Sequence, residues 1–248
     1  VMLGVALAFS VQLINASALD EFASAVRSVN GQPDLELRAA QGGFDEGLFS
    51  RIATHPQVAL ASPVLETQVQ LLGPAGRRLP MRVLGVDSLV LPEIAPALSP
   101  QLAQGVVRLA QFAPGQVFLN AAARTAAGAD ATSVQVQAGA RTFTLRIAGS
   151  VSAGGSALAV MDIGAAQDLF DRGGQLSRID IRLRPGTDRA GFSRALEQSA
   201  GWPAGMRLAE PGDSAQRVSN LSRAYRVNLT VLALVALFTG AFLVFSVL

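Results

Sequence analysis

The residues whose types could do chemistry are few. They are one histidine, three close acidic pairs and a double glycine. His55 stands in Ala-Thr-His-Pro-Gln. An imidazole titrates near neutrality and can act as a general base. A histidine beside proline at a helix end reads instead as a capping or solvated side chain, and no serine in a nucleophile-elbow pattern accompanies it. Asp20-Glu21 and Asp45-Glu46 are adjacent in sequence. Neighbours on a helix point apart, so these pairs read as solvated charges at helix starts. Asp168 and Asp171 are three apart and could share a helix face, but no base or metal-ligand set goes with them. Gly154-Gly155, in Ser-Ala-Gly-Gly-Ser, lacks the Lys-Ser/Thr end of a phosphate loop and reads as a turn. No catalytic, cofactor-binding or metal-binding set emerges. The chain reads as a non-enzyme without a cofactor.

Composition closes further routes. There is no cysteine, so disulfides and thiolate metal sites are excluded. A single histidine excludes a His-rich metal site. All 20 basic residues are arginine, so Schiff-base chemistry and a P-loop lysine are excluded within these 248 residues. The arginines are spread along the chain and offset by 18 acidic residues, for a net charge of +2. A nucleic-acid partner would need a clustered basic face, and the sequence shows none.

The two ends are apolar. Residues 229–248 read LTVLALVALFTGAFLVFSVL, without a charge. As a helix rising about 1.5 Å per residue, they span roughly 30 Å, the thickness of a bilayer core. Residues 1–19 are also uncharged, and the chain begins inside this run without a methionine. We read it as a truncated first span, cut from a longer protein. Ala16-Ser17-Ala18 resembles a signal-peptide cleavage site, but no basic region precedes it. The helical phase also continues through it, with Leu19, Phe22, Val26 and Val29 at spacings of 3, 4 and 3. Before the second run, Asp213 can cap a helix in which Val218, Leu221, Tyr225 and Leu229 share a face. Both spans are therefore expected to extend as amphipathic stalks, 20–31 and 211–228. Arg217, Arg223 and Arg226 would then lie near lipid headgroups.

Between them the pattern is mixed. Asp34–Arg38 alternates as a half-buried strand, and Asp45 can cap a helix carrying Leu48, Phe49 and Ile52. Strands are expected at 64–72 and 78–86, joined by Gly-Pro-Ala-Gly. Residues 89–115 hold four prolines and read as an irregular linker. Further strands are expected at 117–120, 133–137, 142–147, 158–161 and 178–183. Helices are expected at 121–127, after Asp162 and after Asp188. The fold class is α+β, with its helices on one face.

The order of these features, with LGVD at 84–87, AVMDIGAAQDLF at 159–170 and RIDIRLRPG at 178–186, resembles the FtsX/MacB-type ABC transporter permeases. The resemblance covers essentially the whole chain. It implies an α+β extracytoplasmic domain flanked by two transmembrane helices with amphipathic stalks. A porter-like subdomain would comprise 32–87 and 156–210, with a small, mostly-β subdomain inserted at 88–155. It further implies residence in the bacterial cytoplasmic (inner) membrane, with residues 20–228 outside the cytoplasm. The implied partners are an ABC ATPase subunit, membrane lipid, and a second permease copy or periplasmic adaptor. The implied activity is coupling of ATP hydrolysis to export or extraction of a lipid, lipoprotein, peptide or drug. A membrane-anchored sensor or binding module would share the same two spans and outer domain, and a membrane-bound hydrolase would depend on His55.

Overall fold

Alternation of apolar and polar residues sets most of the strands, and their register decides how they close. The computed structural model describes residues 33–40 and 42–210. Both apolar runs and both predicted stalks lie outside the described residues, as do Asp20, Glu21, Asp213, Arg217, Arg223 and Arg226. Among the described residues no helix is long and apolar enough to cross a membrane.

In chain order the elements are β1 (Leu35–Ala39), β2 (Phe44–Asp45), α1 (Gly47–Ala53), β3 (Val58–Leu72), β4 (Arg78–Val86), α2 (Leu91–Ile94), β5 (Gln101–Leu102), β6 (Gln116–Leu119), α3 (Ala121–Ala127), β7 (Ser133–Ala138), β8 (Arg141–Ser150), β9 (Leu158–Asp162), α4 (Ile163–Leu169), β10 (Gln175–Leu176), β11 (Arg178–Leu183), α5 (Arg189–Glu197) and β12 (Met206–Ala209). The expected α+β class is observed. Three helices start as the sequence predicts. Asn120, Asp162 and Asp188 each accept a hydrogen bond from a backbone N–H of the following first turn. Asp45 departs from expectation. Glu46 is the N-cap of α1 and makes no side-chain cap, while Asp45 Oδ1 accepts from Gly47 N at 2.8 Å.

The main sheet runs β12-β1-β11-β3-β4-β9-β6-β8-β5, and β7 bonds to both β8 and β3. That last pairing, Gln70–Leu72 against Gln135–Gln137, closes a ring β3-β4-β9-β6-β8-β7. The ring's interior is packed with Val69, Leu71, Met81, Val83, Leu145 and Met161 among others. Closure satisfies both edges of every strand in the ring. Strands β11, β1 and β12 extend it as an open wing.

β4 and β9 are parallel neighbours, Arg82↔Leu158 to Val86↔Asp162. The segment from Asp87 to Ala157, holding α2, β5, β6, α3, β7 and β8, begins after one strand of this pair and ends at the other, and its strands β5 to β8 belong to the same sheet. Helices α1, α4 and α5 pack on the face that carries Leu37, Ile179 and Ile181, and on the adjoining barrel interior. The opposite face, around Val64, Leu84, Phe118 and Val160, is covered by α2 and its neighbours, Leu91, Ile94 and Leu98. The expectation of helices on one face therefore fails at α2. It also fails for 89–115 as an irregular linker. That segment supplies α2, 3-10 turns at Pro96–Leu98 and Arg108–Phe112, and β5.

Two glycines show where backbones approach closely. A Cβ on Gly85 would lie 2.5 Å from Ala166 Cβ and 3.3 Å from Ile163 Cα, so only glycine lets α4 lie on β4. A Cβ on Gly149 would lie 1.9 Å from the Gln101 carbonyl oxygen, where β5 crosses β8.

Candidate functional site

The residues singled out by chemistry do not converge. His55 follows α1, where its Nδ1 accepts from Gln57 N at 3.2 Å. Its ring stands edge-on to Phe192, with centroids 5.1 Å apart. It lines a cleft of about 240 Å³ between α1 and α5, with Arg51, Leu196 and Trp202. Arg51 is held there by the Gly201 carbonyl at 2.9 Å. Glu46 turns away from Asp45 and accepts from Gln167 Nε2 at 2.8 Å. Asp171 pairs with Arg141, whose guanidinium lies over the Phe143 ring, while Asp168 is exposed on α4. Gly155 has φ +90°, in the loop between β8 and β9. Among the described residues, no three of His, Cys, Asp and Glu gather as metal ligands would.

The charged site that the structure does assemble was hidden in the alternating strands. Alternation in DLELR predicts a half-buried strand, yet Glu36 is only 3% exposed. Register explains its company. Glu36 of β1 is the Cα partner of Asp180 of β11, which is the Cα partner of Ser62 of β3. Opposed residues share a face, so the three side chains form a row. Asp180 is 2% exposed and Ser62 1%. Arg178, two residues along, shares that face and is 1% exposed.

The row is held by arginines. Arg178 Nε donates to Asp180 Oδ1 at 2.8 Å, and Arg178 NH1 lies 3.7 Å from Glu66 Oε2. Arg82 NH1 lies 3.5 Å from the other oxygen of Glu66. At the opposite end Arg38 Nε donates to Glu36 Oε2 at 2.8 Å. Acidic and basic groups thus alternate across β1, β11, β3 and β4. Burial works against the charge on Arg178, but the carboxylates of Asp180, Glu36 and Glu66 outweigh it and hold the guanidinium protonated, its pKa raised. Burial pushes Asp180 up to about 6; Glu36 adds to the rise, and Arg178 and Arg38 oppose it.

The chain enters and leaves beside this row. Glu36 pairs with Ala209 of antiparallel β12, so the start of β1 and the end of β12 lie side by side. Asp34 pins the entry. Its N–H donates to Ile181 O, its Oδ2 accepts from Leu183 N at 2.8 Å, and its Oδ1 pairs with Arg189 at the start of α5.

Comparison with known proteins now bears on this arrangement. No family model matches the chain. It is 28% identical over 247 residues, 96% of its length, to an uncharacterized ABC transporter permease protein of Mycobacterium tuberculosis. The chain spans only 28% of that relative. The periplasmic region of MacB from Actinobacillus actinomycetemcomitans superposes with a TM-score of 0.52 at 12% identity, over 79% of this chain and 96% of that one. The fold is that of the MacB periplasmic region. The extracellular domain of the noncanonic ABC-type transporter YknZ from Gram-positive bacteria gives a TM-score of 0.54 at 9% identity, over 71% of this chain and 99% of that domain. At such identities the MacB and YknZ likenesses establish fold alone. With the curated relative, they bear out the resemblance to FtsX/MacB-type ABC transporter permeases.

The MacB-like fold gives the three resembling phrases physical content. LGVD supplies Gly85, and AVMDIGAAQDLF supplies Asp162, Ile163 and Ala166, so two of the phrases are the two sides of one close contact. RIDIRLRPG supplies β11, with Ile179 and Ile181 in one core and Arg178 and Asp180 on the other face.

Proposed function

We propose that this chain is the extracytoplasmic part of an ABC permease subunit, together with the two membrane spans that bracket it. It couples ATP hydrolysis on a partner ABC ATPase to export or extraction of a lipid, lipoprotein, peptide or drug. One observation carries the reading: the strands at which the chain enters and leaves, β1 and β12, are antiparallel neighbours. Two flanking helices that leave from neighbouring strands can move as a pair. Asp34 ties the entering strand to β11 and α5, so displacement at the entry is passed to packed elements and not to a loose loop.

In this account residues 1–19 and 229–248 cross the bacterial cytoplasmic membrane, and 20–31 and 211–228 are stalks. Residues 32–87 and 156–210 form the porter-like unit, with 88–155 as its insert. The parallel β4–β9 pair supports that last division, since the segment between them begins and ends at adjacent strands.

Rigid coupling has a direct test. Two glycines inserted after Val26 or after Val218 in the full-length permease, assembled with its ATPase, should leave ATP hydrolysis in place and abolish ATP-driven transport. Unchanged transport in both variants would rule out rigid stalks.

A further inference from the structure

Glu36 and Asp180 place two carboxyl groups directly opposite each other on adjacent strands, both buried. Like charges so placed repel, and burial strengthens the repulsion by removing water. Two oxygens in the row lack partners. Glu36 Oε1 and Ser62 Oγ are both buried and accept or donate no hydrogen bond. A buried acceptor left unmatched is costly and uncommon. Arg38 already serves Glu36 through Oε2, and Arg178 serves Asp180 through Oδ1.

We propose that Glu36 and Asp180 form a proton-binding pair. A proton carried by the Asp180 carboxyl is donated to Glu36 Oε1 across the β1–β11 ladder. A protonated carboxyl gains an O–H donor that can serve the unmatched Glu36 oxygen, whereas the Ser62 hydroxyl, the row's other O–H, lies two strands away on β3. Binding consumes one proton and removes one negative charge. The charged groups placed on the same face are Arg38 on β1, Arg178 and Arg182 on β11, Arg207 on β12, Glu66 on β3 and Arg82 on β4. Arg178 and Arg38 lie close enough to favour the ionised form of Asp180, while burial and Glu36 favour the protonated one. The pair is therefore poised near mild acidity.

The consequence is local. β1 is the strand through which the chain enters the domain, and the proton bonds it to β11. Loss of the proton leaves two facing carboxylates at that seam, so acidity tightens the attachment of the entering segment. The inference rests on the domain's own geometry and does not depend on transport.

Infrared difference spectroscopy on the full chain in lipid tests it. Between pH 5 and pH 7.5 a carboxylic-acid C=O band should vanish from the wild type. Asp180→Asn should lack that band. Glu36→Gln should keep it, with its midpoint lower by about half a pH unit or more, because the opposing charge is gone. A wild type without the band, a band that persists in Asp180→Asn, or an unmoved midpoint in Glu36→Gln would each overturn the pairing. Should Asp180→Asn fail to fold, the Glu36→Gln midpoint decides alone.

Discussion

Asp180 shows what a single buried carboxyl does to the energetics of this domain. In the unfolded chain it ionises near 3.8, and in the fold near 6. The folded state therefore holds its proton more tightly. The stability this group contributes is fully present below about 3.8 and is lost as pH rises through about 6. The difference amounts to roughly 3 kcal/mol by the usual conversion of about 1.4 kcal/mol per unit. Urea unfolding followed at Trp202 should show this fall between pH 4 and pH 7, and Asp180→Asn should flatten it. A wild-type curve that rises over this window would contradict the raised value. None of this was legible in the sequence, because RIDIRL reads equally well as a strand with one wet face. Burial of its polar face depends on register with β1 and β3, which alternation alone does not encode.

The element scale explains what could and could not be read from the chain. The bounds of β11 follow from its alternation, which ends at Arg184, and those of β4 from alternate Leu79, Met81 and Val83 and the end of its apolar run at Asp87. β3 was expected only from Val64, since Pro63 should break a central strand. It survives because Ser177 N donates to Val64 O, which turns the polar groups of Val64 toward β11 and those of Pro63 toward β4. The β3–β4 pairing ends at Val64↔Val86, so the proline nitrogen faces no partner strand. β12 has no counterpart in the sequence reading, because only pairing with β1 makes a strand of these four residues. The β4–α4 contact offers a test at this scale. Gly85→Ala should destabilise the domain by about 1–3 kcal/mol through overpacking against Ala166. Adding Ala166→Gly should recover part of that loss, so that the double variant unfolds at a higher urea concentration than Gly85→Ala alone. Strict additivity of the two losses would mean that the contact does not constrain α4.

At the scale of the whole molecule, two architectures share one sheet. A closed ring built from β3, β4, β9, β6, β8 and β7 supplies a packed body. An open wing of β11, β1 and β12 carries the first and last strands of the described residues, with its charged row on one face and α1 and α5 on the other. The sequence announced the longer strands and the caps at Asp162 and Asp188, and left out β2, β5, β10 and β12. Closure was not visible, because it depends on Gln135–Gln137 reaching the far end of β3. The apolar character of residues 229–248 and the side-by-side ends of the described residues are what support the proposal that the domain lies outside the cytoplasm. Topology tests this most directly. The chain has no cysteine, so Asp130→Cys, in the exposed loop after α3, introduces a probe in this part of the full-length permease. In a background without other reactive cysteines, a membrane-impermeant maleimide should label it on intact spheroplasts. Labelling only after the membrane is permeabilised would place the domain in the cytoplasm and contradict the account.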